Sequence, residues 1–416
     1  MFRSPRGTAD ILPADQPYWR YVETTAAELC ERFGYGRIET PIFEDAKLFN
    51  RSVGEATDIV EKETYSFKDR GNDDLTLRPE GTAPVCRAYL EHGMHVLPQP
   101  VRLYSIHAQM FRYDRPQAGR YRQFHQVNVE AIGSQEAAVD VEIIEMAWRL
   151  FAKLGLRNLT VVLNSIGDRS DRPTYIAALK RYYEPLAAQL CGDCKRRLET
   201  NPLRLLDCKK ETCRPHTEQA PRTLDFLSDS SRGHWNELTA SLKTLHIPFT
   251  IDHRLVRGLD YYTHTVFEIV PQEDGAQSTI GGGGRYDGLI EQLGGKPTPA
   301  VGFATGMERI ILNLKRQGIA VPGQRGITAV VVHLGDGARA HALSLASSLR
   351  EQGVTAVLAP GGKSMKAQMR YAESVGAAYA LILGDDEVRQ GVVAVKRMAD
   401  GSQRQVAMSE AAAAVR

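Results

Sequence analysis

Four arginines, Arg112, Arg115, Arg120 and Arg122, crowd the polar loop between two strand-like runs, with Phe124 just beyond them. Guanidinium forks suit the oxygens of phosphates and carboxylates. In the run that follows, a period of two puts Phe124, Gln126, Asn128 and Glu130 on one face and Val127, Val129 and Ala131 on the other. A polar face inside an otherwise apolar sheet is costly unless something pairs with it. Upstream, Leu75-Thr76-Leu77-Arg78-Pro79-Glu80-Gly81-Thr82 reads as a strand ending in a turn, where the Glu80 carboxylate could grip an ammonium group. Downstream, Arg257-Gly258 allows close backbone approach to a ligand, and Tyr261 and Tyr262 supply two hydroxyl donors. Gly281 to Gly284 are four consecutive glycines, which are expected to exclude ordinary helix or strand and to permit main-chain contact with a ligand. Arg309 falls in the first turn of a helix, where the N-terminus already attracts anions. A mononucleotide P-loop is excluded: no GK[ST] follows the glycines at the required spacing, and Gly361-Gly362-Lys363-Ser364 has Val357 where the motif needs glycine.

These segments need elements to hold them. Residues up to about 165, and again from about 235 to 318, alternate helix-like stretches such as Gln16 to Phe33 with strands rich in β-branched and aromatic residues. Without regular βαβ alternation this pattern predicts an α+β domain on a mainly antiparallel sheet. Val101 to Ile132 reads as a long hairpin. Residues 169–222 interrupt this block with twelve Lys+Arg against seven Asp+Glu, begin helically at Tyr175 to Leu190, and read as an inserted helical module. After the Gly/Pro stretch from Gln317 to Gly326, strands at Thr328 to Leu334, Val354 to Leu358 and Ala378 to Leu383 alternate with helices at Ala338 to Gln352 and Lys363 to Val375. That alternation predicts a small parallel-sheet α/β domain with right-handed crossovers. The expected boundaries are thus 1–168 and 223–318 for the core, 169–222 for the insertion and 326–416 for the last domain.

At 416 residues, with Lys+Arg 52 against Asp+Glu 50, the chain has too little net charge for a whole-chain basic footprint, so any nucleic-acid contact must come from local patches. No run approaches a membrane span, the first residues lack the apolar core of a secretory signal, and a cytoplasmic location is expected. Of six cysteines, Cys30 and Cys86 read as buried apolar residues. The other four form Cys191-x2-Cys194 and Cys208-x4-Cys213, a spacing open to a four-thiolate zinc site or to four reduced thiols in a loop, and no metal is assigned from it.

Taken together the segments resemble the histidyl-tRNA synthetase family of class II aminoacyl-tRNA synthetases, over essentially the whole length. Pro41 in Ile38-Glu39-Thr40-Pro41-Ile42-Phe43 is similar to the motif 1 proline of the class II dimer interface. Phe111-Arg112 with Arg120-Tyr121-Arg122-Gln123-Phe124-His125-Gln126 resembles motif 2, and Gly306-Met307-Glu308-Arg309 resembles motif 3. Arg257-Gly258-Leu259-Asp260-Tyr261-Tyr262 and Gly283-Gly284-Arg285-Tyr286-Asp287-Gly288 are similar to the two histidine-specific signatures.

The resemblance implies ATP-dependent ligation of histidine to tRNA(His) through a histidyl-adenylate, with Arg257 and Arg112 catalytic. It implies a histidine site of Glu80, Thr82, Arg112, Gln126, Glu130, Arg257, Tyr261 and Tyr262. The ATP site it implies is Arg112, Asp114, Arg120, Phe124 and Arg309, with Mg2+ accompanying ATP. Asp114 stands where motif 2 usually has Glu, and His264 where Gly or a basic residue is common. A homodimer through the region of Pro41 is implied too, with residues 169–222 matching an acceptor-arm insertion and 326–416 an anticodon-binding domain. The alternative is the synthetase-like regulatory subunit of ATP phosphoribosyltransferase, a type that lacks the last domain and has degraded histidine signatures.

Overall fold

The computed structural model describes residues 2–53, 63–113, 121–271, 279–323 and 326–416. The chain divides into two compact units, Met1–Pro322 and Gly323–Arg416. In the first unit the strands are β1 (Gly36–Arg37), β2 (Phe43–Asp45), β3 (Tyr65–Lys68), β4 (Asp74–Leu77), β5 (Val101–Phe111), β6 (Gln123–Ile132), β7 (Leu159–Ser165), β8 (Phe249–Ile251), β9 (Thr263–Pro271), β10 (Gly281–Arg285) and β11 (Ala300–Gly306).

Among the described residues, one sheet has the order β1-β5-β6-β11-β10-β9-β7-β8. Its six inner strands run antiparallel, while β1 and β8 pair in parallel at the two edges. The expected α+β core on a mainly antiparallel sheet is present. The hairpin β5–β6 carries a register shift between Ser105 and Ala108. A small separate sheet, β2-β4-β3, leaves Ile42, Phe43 and Phe67 exposed.

The two faces of the large sheet have different fates. Val127, Val129 and Ala131 of β6, with Phe267 and Ile269 of β9, are buried in the main core with apolar residues of helices Gln16–Arg32, Ala137–Lys153, Asp229–Thr244 and Met307–Arg316. This apolar burial, at roughly 25 cal/mol per Å², ties the sheet to its helices. The opposite face carries Gln126, Asn128 and Glu130, as the period of two demanded. Helix Thr82–Glu91 and the segment around Tyr261, Tyr262 and Tyr286 form a second cluster, which also takes in Tyr175, Leu179, Cys194 and Cys213 of the insertion.

Two expectations need correction. The four glycines do form a strand: β10 pairs antiparallel with β9 on one side and β11 on the other. Absence of side chains is what lets it lie there, since a Cβ on Gly283 would sit 2.0 Å from the Gly302 carbonyl oxygen. At Gly284, with φ +157°, a Cβ would meet the Thr265 carbonyl, and the register shifts at this point. The helix expected over Tyr175 to Leu190 stops earlier. It spans Arg172–Tyr183 and passes into 3-10 turns at Glu184–Gln189, because Pro185 has no N–H to continue the α-helical ladder.

The second unit contains β12 (Ala329–His333), β13 (Ala356–Leu358), β14 (Tyr379–Leu383), β15 (Val392–Arg397) and β16 (Gln403–Ala407), in the order β13-β12-β14-β15-β16. The first three are parallel, as expected from helices Asp336–Glu351 and Met365–Ser374 between them. The sheet as a whole is mixed, because β15 and β16 add antiparallel strands. The turn between these two, with Gly401 at φ +73°, is too short for a crossover helix. Ser364 caps the helix that starts at Met365, its hydroxyl accepting from the Ala367 amide at 3.4 Å.

Candidate active site

Strand β6 runs through the centre of the site. Its first residues, with β10, β11 and the start of helix Met307–Arg316, enclose a cavity of about 320 Å³. Arg112, Phe124, Gln126, Arg257 and Arg309 line it, together with Tyr121, Glu268, Thr279 and Glu308. Arg112 donates from Nε to the Pro79 carbonyl at 2.7 Å, and its guanidinium stands 5.9 Å from the Phe124 ring centroid. Arg309 donates to the Thr279 carbonyl at 2.8 Å. The predicted ATP residues Asp114 and Arg120 lie outside the described residues.

Arg257 is held from the far side of the cavity. Its Nη1 is paired with Glu268 of β9, whose other oxygen accepts from Thr279 Oγ1 at 2.6 Å. Despite the cost of burial, that carboxylate keeps the guanidinium firmly charged. Arg257 Nε is buried with no hydrogen-bond partner among the described residues. What approaches Gly258 is the Arg204 side chain, at 3.4 Å from where a Cβ would stand, rather than open ligand space.

Beyond Gln126 the same face of β6 carries a buried polar cluster. Glu130 is 2% exposed. One of its oxygens accepts from Thr82 Oγ1 at 2.7 Å, and the other accepts from the Tyr286 hydroxyl. Gly302, its partner on β11, makes this possible, because a Cβ there would stand 1.9 Å from the Glu130 carboxylate. Burial drives the Glu130 carboxyl up to about 8. Glu80 is also buried, and burial raises its carboxyl as well, although its oxygens accept from the Thr82 and Ala83 amides at 2.7 and 2.9 Å. It therefore satisfies the first amides of helix Thr82–Glu91 from within the buried cluster.

The rings of Tyr261 and Tyr262 lie 4.9 Å apart at their centroids, tilted at 47°, and Tyr261 meets Tyr286 edge-on at 5.6 Å. Arg257 stands 5.9 Å from the Tyr262 ring and so links the cavity to the buried cluster. The predicted histidine-site residues Glu80, Thr82, Gln126, Glu130, Arg257, Tyr261 and Tyr262 thus gather on one face of the sheet, with Arg112 at its rim.

Sequence reasoning missed several of the supports. Tyr286 stands inside the histidine-type signature Gly283-Gly284-Arg285-Tyr286-Asp287-Gly288 but is not among the expected site residues. Glu268 was readable as a single charge in the apolar strand Thr265 to Val270. Glu308 binds the His125 amide at 2.9 Å and its ring Nδ1 at 2.8 Å, joining β6 to the helix that carries Arg309, a contact with no local sequence signal. Arg285, of the same signature, serves packing. It is fully buried, ion-paired with Asp140, and donates to the carbonyls of Ser134 and Glu136 at 2.7 and 3.2 Å. His264 has φ +45°, the left-handed region in which glycine is at ease, and its ring stacks on His234 at 5.1 Å.

Comparison with known proteins now decides the family. Residues 7–168 and 193–310 match the histidyl-tRNA synthetase family, and residues 328–416 match the anticodon binding domain. The chain belongs to the histidyl-tRNA synthetase family. It is 56% identical over 410 residues to the histidine--tRNA ligase of Dehalococcoides mccartyi strain 195, covering 99% of this chain and 98% of that one. Against the histidine--tRNA ligase of Desulforamulus reducens it is 49% identical over 406 residues, covering 98% and 97%. The crystal structure of apo histidyl-tRNA synthetase from S. aureus superposes with a TM-score of 0.84 at 39% identity, covering both chains completely. An ATP phosphoribosyltransferase regulatory subunit/histidyl-tRNA synthetase from Bacillus halodurans shares the fold at a TM-score of 0.66 and 22% identity, covering 92% of this chain and 98% of that one. Within this synthetase family, the full-length relatives favour the ligase over the regulatory reading.

Proposed function

We propose that this chain ligates histidine to tRNA(His) in two steps on the face of β6. The observation that carries this is the junction, along one face of β6, of an arginine-lined cavity that suits a nucleotide with a buried polar cluster of Glu130, Thr82 and tyrosines whose donors and acceptors suit an imidazole. In the first step a carboxylate oxygen of histidine attacks the α-phosphorus of ATP, the bond to pyrophosphate breaks, and histidyl-adenylate remains. In the second a hydroxyl of the terminal ribose of the tRNA attacks the carbonyl carbon, and AMP leaves.

Each residue then has a task. Glu80, Thr82 and Gln126 hold the α-amino group. Glu130 accepts the N–H of one imidazole nitrogen while Tyr262 donates to the other, so the pocket favours the neutral ring. An amino acid without this donor and acceptor leaves buried polar groups unpaired and is rejected. Phe124 stacks on adenine, Arg112 reaches the α-phosphate and the substrate carboxylate, and Arg309 takes the far phosphates or the adenine face. Asp114 and Arg120 belong to the same nucleotide site. Arg257 neutralises the charge that develops at the α-phosphate. ATP enters as its magnesium complex, a hard cation that prefers oxygen ligands, and Glu268 and Glu308 are the carboxylates that line the cavity.

The same reading extends to the whole chain. Residues 1–168 and 223–318 act as the catalytic core, 169–222 as an insertion that clamps the acceptor arm, and 326–416 as the anticodon-binding domain with Lys363 and Lys366 near its tRNA-facing end. Exposed Ile42 and Phe43, beside Pro41, support a homodimer through that region. Among the described residues no helix is long and apolar enough to cross a membrane, and the reading places the enzyme in the cytoplasm. ATP–pyrophosphate exchange across the amino acids tests it: exchange should depend on histidine. Exchange with another amino acid, or with none, would sink the proposal.

A further inference from the structure

Outside the active site the densest group of reactive side chains is the cysteine cluster of the insertion. The Sγ atoms of Cys191, Cys194, Cys208 and Cys213 all lie within 4.8 Å of one another. Cys191 and Cys208 are 3.9 Å apart at sulfur. A disulfide would need about 2.05 Å, and all four are free thiols. Four sulfurs around one tetrahedral zinc at about 2.3 Å would be separated by about 3.8 Å.

The surroundings suit ligands as well. Cys191 precedes helix Gly192–Thr200 and Cys194 falls in its first turn, so both sulfurs come from one tight knuckle. Cys208 and Cys213 end short turns, their amides donating to the carbonyls of Leu205 at 3.2 Å and Lys210 at 2.9 Å. The Cys191 amide points at Cys213 Sγ, 3.3 Å away, an N–H···S contact that a thiolate accepts well. Cys194 and Cys213 are buried at 0% and 1% exposure. Lys210 and Asp193, paired at 3.0 Å, tie the Cys208–Cys213 turn to the start of helix Gly192–Thr200.

We propose that Cys191, Cys194, Cys208 and Cys213 form a closed tetrathiolate site for one structural zinc ion. All four positions are filled by protein, which leaves no open coordination for catalysis. Soft sulfur ligands in a tetrahedron select zinc or iron over hard cations. The ion pins both ends of residues 195–207, and that stretch buttresses the substrate loop. Asn201 Nδ2 donates to Asp260 Oδ1 at 2.9 Å, and Arg204 Nη1 donates to the Arg257 carbonyl at 3.4 Å. Metal binding in the insertion thereby positions the backbone of Arg257.

Elemental analysis of the purified full-length chain should give about one zinc per chain, retained through dialysis. A mercurial should release that zinc in step with the four thiols. Cobalt exchanged into the protein should show the charge-transfer and d–d bands of a tetrahedral thiolate centre. Cys208→Ser should lower the zinc content and the melting temperature, while the wild-type stoichiometry and cobalt spectrum decide the matter even if this variant fails to fold. Chelator-stripped protein should lose at least several-fold in exchange rate and recover on adding zinc. Four freely titrating thiols without stoichiometric metal, a disulfide, or stoichiometric iron would each overturn the assignment.

Discussion

Arg257 and Glu268, eleven residues apart in the chain, form an ion pair over Gly282, where a Cβ would stand 2.9 Å from the guanidinium. Glu268 therefore holds the arginine in the cavity before any substrate arrives, so little reorganisation is left for the moment of reaction.

Replacing Arg257 with alanine should abolish adenylate formation, with a loss on the order of a hundredfold or more in exchange rate. Histidine affinity measured by calorimetry should change only modestly. Near-normal exchange would remove Arg257 from the mechanism.

Glu130→Gln keeps the size of the side chain but turns an obligate acceptor into a mixed donor and acceptor. Histidine binding should weaken by roughly 1–3 kcal/mol, the usual cost of a charge-assisted bond, with ATP affinity close to wild type. Titration of both ligands decides it, since an equal loss for ATP would mean that Glu130 does not read the side chain.

The same residue sets a pH dependence. Burial raises its folded-state value from 4.5 to about 8, so the folded chain holds a proton that the unfolded chain gives up. Its contribution to stability is fully present below about 4.5 and is lost as pH rises through about 8. Denaturant titrations should show wild type losing more stability than Glu130→Gln across this window. At pH 7 histidine binding should ionise Glu130 and release close to one proton that the variant does not release. Calorimetry in buffers of different ionisation enthalpy reads this, and equal proton release by both proteins would refute it.

Arg285 reports on packing rather than chemistry. Although burial alone would raise the Asp140 carboxyl, Arg285 and His234 hold it down at about 2. Arg285→Met leaves that carboxylate buried and robbed of its main partner, and should cost about 3–5 kcal/mol in urea unfolding. Adding Asp140→Leu should restore much of the loss. A single-variant cost below about 1 kcal/mol, the range of an exposed pair, would contradict the buried-pair description.

Deleting residues from 326 onward should leave histidine-dependent exchange detectable and greatly reduce tRNA charging, as the division at Pro322 and Gly323 suggests. Loss of neither activity would refute a tRNA-binding role for the second unit.

How much of this was legible in the sequence follows from how local each signal is. The alternation of Gln126, Asn128 and Glu130 with Val127, Val129 and Ala131 gave the face of β6 directly, because strand geometry acts residue by residue. Arg309 at a helix start was legible for the same reason. Gly281 to Gly284 misled, since glycine's poor strand tendency is overridden where the neighbouring strands leave no room for a Cβ. The Tyr286 to Glu130 bond and the Glu308 to His125 bond join residues far apart in the chain, and no window of sequence contains them.

Strand β11 lies between β6 and β10, and Gly302 sits beside Glu130. The ribosome makes β11 long after β6, at about 5–20 residues per second. Until β11 emerges, β6 and β10 have open edges toward each other, and open edges are where chains pair wrongly. The polar cluster proposed to read the imidazole is therefore among the last parts of its unit to close, and a nascent chain cut short before Ala300 holds β6 with no wall beside Glu130. Long-range pairings of this kind are slow to form. On the proposed reading, an enzyme that serves translation is itself unable to bind its amino acid until translation of its first unit is nearly complete.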